Sequence, residues 1–310
     1  MSTEHVGDAK VSSVNSGGSK TRAGLQLIAV PFHSAQRAVA MGRGPLVLVE
    51  HGLIERLNGH GYDVGLVEIE EPDLQHREIA RTFEIDRRIA HAARAAINAG
   101  RLPIVIAGNC NSSLGTTAAI EIRRVGVLWF DAHADFDVPD DNLSGFFDVM
   151  ALSTLTGSCW TTLRRTIPGF REVAEHDVLL VGARDLEPYQ RERLDRSSIR
   201  VAYGGESEQL ALEQSALSQL NTMTRSIETL YVHIDLDCLD DSCGRANEYA
   251  APHGLKLEQV RQIVAAARAL CPVGAIAFTA YDPTLDAAGE FAAVAVGLIE
   301  EVVCAAVPGG

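Results

Sequence analysis

Apolar residues fall along this chain in two alternating patterns. Residues 25–30, 64–69, 102–107, 125–130, 178–181, 199–202, 230–234 and 274–279 form short, nearly continuous apolar runs. Such runs predict strands buried on both faces, as in a parallel sheet. Between them the apolar positions recur at helical spacing. Gly44-Pro45 opens a helix carrying Leu46, Val49, Leu53, Ile54 and Leu57, and Gly59 and Gly61 end it. Residues 77–99 predict a long helix closed by Gly100. Further helices are expected from Leu114 and over 147–155, 188–194, 209–227, 257–270 and 289–306. Strand and helix alternate throughout and no linker splits the chain. The pattern therefore predicts one α/β domain, a three-layer α/β/α sandwich with a mainly parallel sheet of about eight strands. Residues 1–22, rich in Ser, Gly and charge, are read as a disordered tail, which leaves 23–310 as the domain.

Two of the predicted strands end in the same way. The run Val-Leu-Trp-Phe stops at Asp131, and Asp131, His133 and Asp135 follow at alternate positions. Leu230 begins Leu-Tyr-Val-His-Ile-Asp-Leu-Asp, with Asp235 and Asp237 again alternating. Alternate residues of an extended chain share a face, so each corner gathers carboxylates in one place. At the end of a buried strand such groups are costly unless a divalent cation pairs them. An exposed acidic turn is the bland alternative for either corner alone. A parallel sheet, however, collects its carboxyl ends on one edge, where ligands of open α/β folds sit. Two cations sharing bridging carboxylates would activate water for hydrolysis.

Composition narrows the picture. A chain of 310 residues with 46% hydrophobic content can bury a large core. A net charge of −14 leaves little to neutralise phosphates, which argues against nucleic acid or an anionic membrane as partner. It suits an acidic cleft for cations or a guanidinium-like small molecule. The six cysteines include no C-x-x-C pair and read as reduced thiols of a cytoplasmic protein. No apolar signal core or membrane-length run is visible, and neither G-x-G-x-x-G nor a P-loop follows a strand.

In this order the strand-end motifs resemble the ureohydrolase (arginase/agmatinase) family, from about Leu25 onward. Val30-Pro31-Phe32 and the Gly42–Leu57 stretch are similar to the family's first strand, loop and helix. The family's G-G-D-H, D-A-H-x-D and S-F-D-x-D segments hold two manganese ions. Asp131 to Asp135 match the second intact, and His233 to Asp237 match the third at both acids. The resemblance implies an arginase-like fold and two divalent ions. One would be held by Cys110, Asp131, Asp135 and Asp235, the other by Asp131, His133, Asp235 and Asp237. It also implies attack by activated water on a guanidino or other linear amidine carbon, and assembly into a homo-oligomer.

Several positions depart from the family pattern. Cys110 stands where the first segment has histidine. A thiolate can ligate, with more preference for zinc or iron than imidazole shows, or Cys110 can be a small buried hydrophobe. Asp148 falls on the proton-transfer histidine of the S-G-N-L-H-G loop, here Ser144 to Val149. It can shuttle protons, as His133 beside it can, hold a cationic or hydroxylated nitrogen, or cap a helix. The asparagines that recognise an amino-acid carboxylate become Asp137 and Phe146, and the guanidinium-clamping glutamate becomes Ala280. Asp148 or Asp282 could compensate for that lost partner. Ser144 and Glu187 are the remaining substrate-contact candidates, Glu187 being equally a surface acid at a helix start. These departures are similar to those of the branch that cleaves Nω-hydroxy-L-arginine. They leave two expectations: a dinuclear hydrolase of a modified guanidine, or a catalytically silent protein that binds or regulates through the same fold.

Overall fold

The computed structural model describes residues 23–72 and 77–307, so the expected tail lies outside the described residues. Eight strands form the central sheet: β1 (Gly24–Val30), β2 (Asp63–Glu68), β3 (Leu102–Ala107), β4 (Val125–Phe130), β5 (Val178–Val181), β6 (Arg200–Ala202), β7 (Thr229–Asp235) and β8 (Val273–Thr279). Their order is β2-β1-β3-β8-β7-β4-β5-β6. Every pairing is parallel. The expected mainly parallel sheet is thus wholly parallel.

Ten helices cover its two faces among the described residues: α1 (Gly44–Glu50), α2 (Leu53–Gly59), α3 (Glu78–Asn98), α4 (Ser112–Ala118), α5 (Ala151–Thr156), α6 (Thr161–Arg164), α7 (Pro188–Arg196), α8 (Gln209–Met223), α9 (Leu257–Leu270) and α10 (Glu290–Ala306). Helices α1, α2, α8, α9 and α10 pack on Leu128, Phe130, Val232, Ile234, Ile276 and Phe278. Helices α3 to α7 cover the other face, against Val105, Val127, Trp129, Tyr231 and Ala277. Each central strand therefore serves both cores through alternate residues, which is why its sequence is apolar without a break. No described helix is long and apolar enough to cross a membrane. All six cysteines are free thiols, and the four buried ones lie within the two cores.

The expected single helix from Gly44 is two helices, because Gly52 between them takes φ +83° and turns the chain out of the helical path. The helix expected to reach 227 stops at Met223. A two-residue antiparallel ribbon, Phe32–His33 with Gln36–Arg37, lacks any Asn-Gly signal. Its turn residues Ser34 and Ala35 both have positive φ, and Asn109 Oδ1 holds the Ser34 amide at 2.8 Å. That ribbon presses on the turn after β3. A Cβ at Gly108 would lie 2.3 Å from Phe32 O and 2.8 Å from Gly42 N, both backbone atoms that cannot rotate away. Gly108→Ala is accordingly expected to destabilise the fold by roughly 1–3 kcal/mol, measured by denaturant unfolding; an unchanged midpoint would show that the two loops yield.

Candidate metal centre

The four central strands deliver their carboxyl ends to one place. In the register, Thr279 of β8 lies between Ala107 of β3 and Asp235 of β7, and Trp129 of β4 lies beside His233. Cys110, three residues past β3, reaches Asp235 across β8: its Sγ–H donates to Asp235 Oδ2 at 3.0 Å and lies 3.2 Å from Thr279 Oγ1. Asp131 is fixed from two sides. The indole N–H of Trp129 donates to its Oδ2 at 2.9 Å and the His133 amide to its Oδ1 at 2.7 Å. The Ala132 amide donates to Asp237 Oδ1, and the Asp237 amide donates to Asp235 Oδ1.

Two donor sets result. Atoms of Cys110, Asp131 and Asp235 lie within 4.8 Å of one another, and so do atoms of Asp131, His133 and Asp237. Asp131 belongs to both. Asp135 has a left-handed backbone (φ 47°) and lines the same cavity, outside either set.

Electrostatics describes a site short of positive charge. Burial, then the repulsion of neighbouring carboxylates, raises Asp131, Asp135 and Asp235 above the ordinary range. Burial and the surrounding aspartates keep Cys110 a neutral thiol. Burial opposes charge on His133 and on Asp237, yet each holds the other ionised, His133 well above and Asp237 below its ordinary value. One imidazolium cannot balance four buried carboxylates. Divalent cations can, and the carboxylate, imidazole and thiol donors suit them. The residues present fit a metal pair.

Beside this cluster opens a cavity of about 180 Å³ that also reaches Ser144, Phe146, Asp148, Asn247, Tyr249 and Ala280. Asp148 is 7% exposed. Its oxygens accept from Asn109 Nδ2 at 2.6 Å and the Asn111 amide at 3.0 Å. Burial outweighs those bonds and pushes its carboxyl up to about 7. The cap reading is not met: Asp148 is the first residue of a 3-10 turn whose N-cap is Phe147, Met150 caps α5, and no side-chain cap bond forms at either.

Three expected substrate contacts do not line the cavity. Asp137 accepts from Tyr189 Oη at 3.1 Å and Gln190 Nε2 at 3.0 Å, anchoring α7. Glu187 is exposed and forms a capping box with Gln190. Asp282 binds the Thr284 amide and hydroxyl at 2.9 and 2.7 Å. Glu187 and Asp282 are satisfied locally, where a short-range cap or turn outcompetes a distant ligand, and Asp137 is satisfied across the chain by α7.

Other residues emerge only in three dimensions. Arg184 points away from the cavity and donates to the carbonyls of Asp237, Leu239, Ala251 and Pro252, pinning the loop after β7. Its amide and that of Asp185 bind Ala132 O, so this turn braces the Asp131 corner. Asn247 donates to Asp237 Oδ2 at 3.3 Å and Ala280 O at 2.9 Å. His233 stacks on Trp129 at 3.7 Å and bonds Tyr231 Oη at 2.7 Å, and burial lowers it to about 3, so it stays neutral beneath the cluster. Its sequence signal was its place in the run toward Asp235; Asn247 and Tyr249, in a loop without periodicity, carried none.

A wholly parallel sheet in the order above, with a donor cluster at its central carboxyl edge, defines an α/β fold whose site is suited to divalent cations. The family model described as "Arginase family" matches residues 23–305. Arginase of Bacillus caldovelox is 24% identical over 288 residues, covering 89% of this chain and 96% of that protein. Arginase of Staphylococcus aureus (strain MRSA252) is 24% identical over 231 residues, covering 70% of this chain and 76% of that protein. The B. caldovelox arginase structure superimposes with a TM-score of 0.80 at 23% identity, covering 91% of this chain and 98% of that one. Formimidoylglutamase of Bacillus subtilis gives 0.72 at 16% identity, covering 91% and 87%. The chain belongs to the arginase family, hydrolases that act on C–N bonds of linear amidines.

Proposed function

We propose that this protein hydrolyses a modified guanidino compound with two divalent cations at the carboxyl edge of β3, β8, β7 and β4. The observation that carries the reading is the pair of buried donor sets that share Asp131. In this assignment Cys110, Asp131, Asp135 and Asp235 hold one cation, and Asp131, His133, Asp235 and Asp237 hold the other. The carboxylates suit manganese, and the Cys110 sulfur, once its proton is displaced, draws the same pocket toward zinc or ferrous iron. When bound, the cations supply the Lewis acidity that makes water nucleophilic near neutral pH.

The chain's own groups then orient and move protons. Trp129 and the His133 amide fix Asp131, and Arg184 and Asn247 fix the loop that carries Asp237. Asp148, held through both oxygens by Asn109 and Asn111, accepts a proton released in the cavity and returns it to the leaving amine. Ser144, at the cavity mouth, is left as a hydrogen-bonding contact for substrate. Nω-Hydroxy-L-arginine is one candidate substrate. Its α-amino group would meet neither Asp137 nor Glu187, which are engaged elsewhere, and its carboxylate would meet no Lys or Arg among the described residues that line the cavity. Another modified guanidine fits better. A silent fold would have no use for buried carboxylates that repel one another, so catalysis is the preferred reading.

The test is urea and amine release from L-arginine, agmatine and Nω-hydroxy-L-arginine by metal-loaded and chelator-treated protein. Turnover of none of these, nor of any other guanidine, by protein carrying two metals per chain would sink the proposal. Asp148→Asn is expected to lower kcat by roughly 10²–10⁴ while metal content stays at two. Proton acceptance requires the ionised form, whose value near 7 the cations would pull down. The acid limb of kcat should therefore lie below pH 7 and flatten in Asp148→Asn; a limb that persists assigns the proton to another group.

A further inference from the structure

We infer that the cavity beside the metal centre takes a guanidine or amidine carrying a flat apolar substituent, an aryl or arylmethyl group, rather than an amino-acid or polyamine tail. The inference rests on the hydrolase reading above and names its substrate class.

One wall is aromatic. Phe146 and Tyr249 stack with ring centroids 5.9 Å apart and planes 26° apart, and His33 extends the surface, its centroid 5.8 Å from that of Phe146. The wall is continuous with the metal centre, since Tyr249 meets His133 edge-on at 6.5 Å. Tyr249 is 42% exposed although it is large and aromatic, at the point where a bound ring would cover it. Met41, Val149 and Ala280 complete an apolar surround. Ala280 has φ 67°, a left-handed backbone that disfavours a larger side chain there.

Charge argues against both kinds of polar tail. A carboxylate tail needs a cation or a set of donors, and among the described residues no Lys or Arg lines the cavity. His33 cannot substitute for one, because burial lowers it and leaves it neutral. A second ammonium, as in a polyamine, would have to lie on Phe146, Val149 and Met41 without a carboxylate outside the metal cluster except Asp148. At about 180 Å³ the cavity falls below the ~300–1,000 Å³ typical of drug-sized ligands, so a single ring suffices. In the reaction the oxygen of one water joins the guanidinium carbon and the C–N bond to the arylmethyl nitrogen breaks. Both water protons end on the leaving nitrogen, so arylmethylguanidinium plus water gives urea plus arylmethylammonium.

Benzylguanidine is the probe, titrated calorimetrically into the metal-loaded full chain beside agmatine and L-arginine, with urea release followed for all three. Benzylguanidine is expected to bind about tenfold or more tightly than either competitor, the scale of one good aromatic contact plus ring burial. Tyr249→Ala and Phe146→Ala should each shrink that ratio by several-fold, and Tyr249→Phe should retain it. Tyr249 lies at the exposed mouth, so its removal does not threaten folding. Equal or tighter binding of agmatine or L-arginine, or a ratio that survives both alanine variants, overturns the inference. Absence of turnover with every compound would instead remove the hydrolase reading, and the binding order would still decide the substrate class.

Discussion

Replacing Asp131 by alanine is expected to empty both halves of the metal centre at once. Asp131 belongs to both observed donor sets, so its loss takes a ligand from each cation. Its orientation is also fixed from two sides, through Trp129 and the His133 amide. Outer-shell partners of metal ligands typically cost about 10–100-fold when removed, so a shared ligand should cost more than ~100-fold in kcat/KM. Metal content should fall below one per chain by elemental analysis. The fold should persist, because the variant relieves repulsion among Asp131, Asp235 and Asp237 rather than opening the core. A variant that keeps two metals and near-normal activity would remove Asp131 from the centre.

Metal loading should stabilise the protein, and more so at high pH. Asp131, Asp135 and Asp235 are raised above the ordinary 3.8 by burial and mutual repulsion. Between 3.8 and their raised values the folded state keeps protons that the unfolded state has released. By linkage, the metal-free protein loses stability as pH rises through that window. His133 adds to this trend, because its folded value is raised and its contribution is lost on deprotonation; Asp237, depressed, contributes above 3.8 and loses that contribution only in acid. Cations replace the protons, so their increment grows as the protons become scarcer. With cation at ~100 times its Kd the gain is about 2.7 kcal/mol, or roughly 5 °C in Tm for a chain of this size. Thermal scans at pH 5.5 and 8.0, with manganese and with chelator, test this. An increment absent at both pH values, or larger at pH 5.5, would contradict a carboxylate-held metal centre.

Much of the fold was legible before any coordinates. Strands buried on both faces must be apolar at every position, so β3, β4, β7 and β8 announced themselves, and the acid corners at Asp131 and Asp235 marked where those strands meet solvent. The break at Gly52 and the Ser34–Ala35 turn escaped because positive φ at those positions is imposed by packing. Legibility failed most for carboxylates whose role depends on which neighbour they meet. Asp137, Glu187 and Asp282 carry the same carboxylate as Asp148, and only contacts with Tyr189, Gln190 and Thr284 remove them from the cavity.

The amino-acid pattern alone determined the alternation of strand and helix, the parallel sheet and the two acid corners, because hydrophobic period and strand-end chemistry are local properties. The tertiary structure decided which corners meet. Inserting β8 and β7 between β3 and β4 brings Cys110, Thr279, Asp235 and Asp131 side by side, and no local period encodes that order. It also decided that Arg184 braces a loop instead of touching substrate, and that Phe146, Tyr249 and Met41 wall one cavity. Those contacts join segments far apart in the chain, from 53 residues for Arg184 and Asp237 upward, and such contacts become favourable only once the whole sheet has closed.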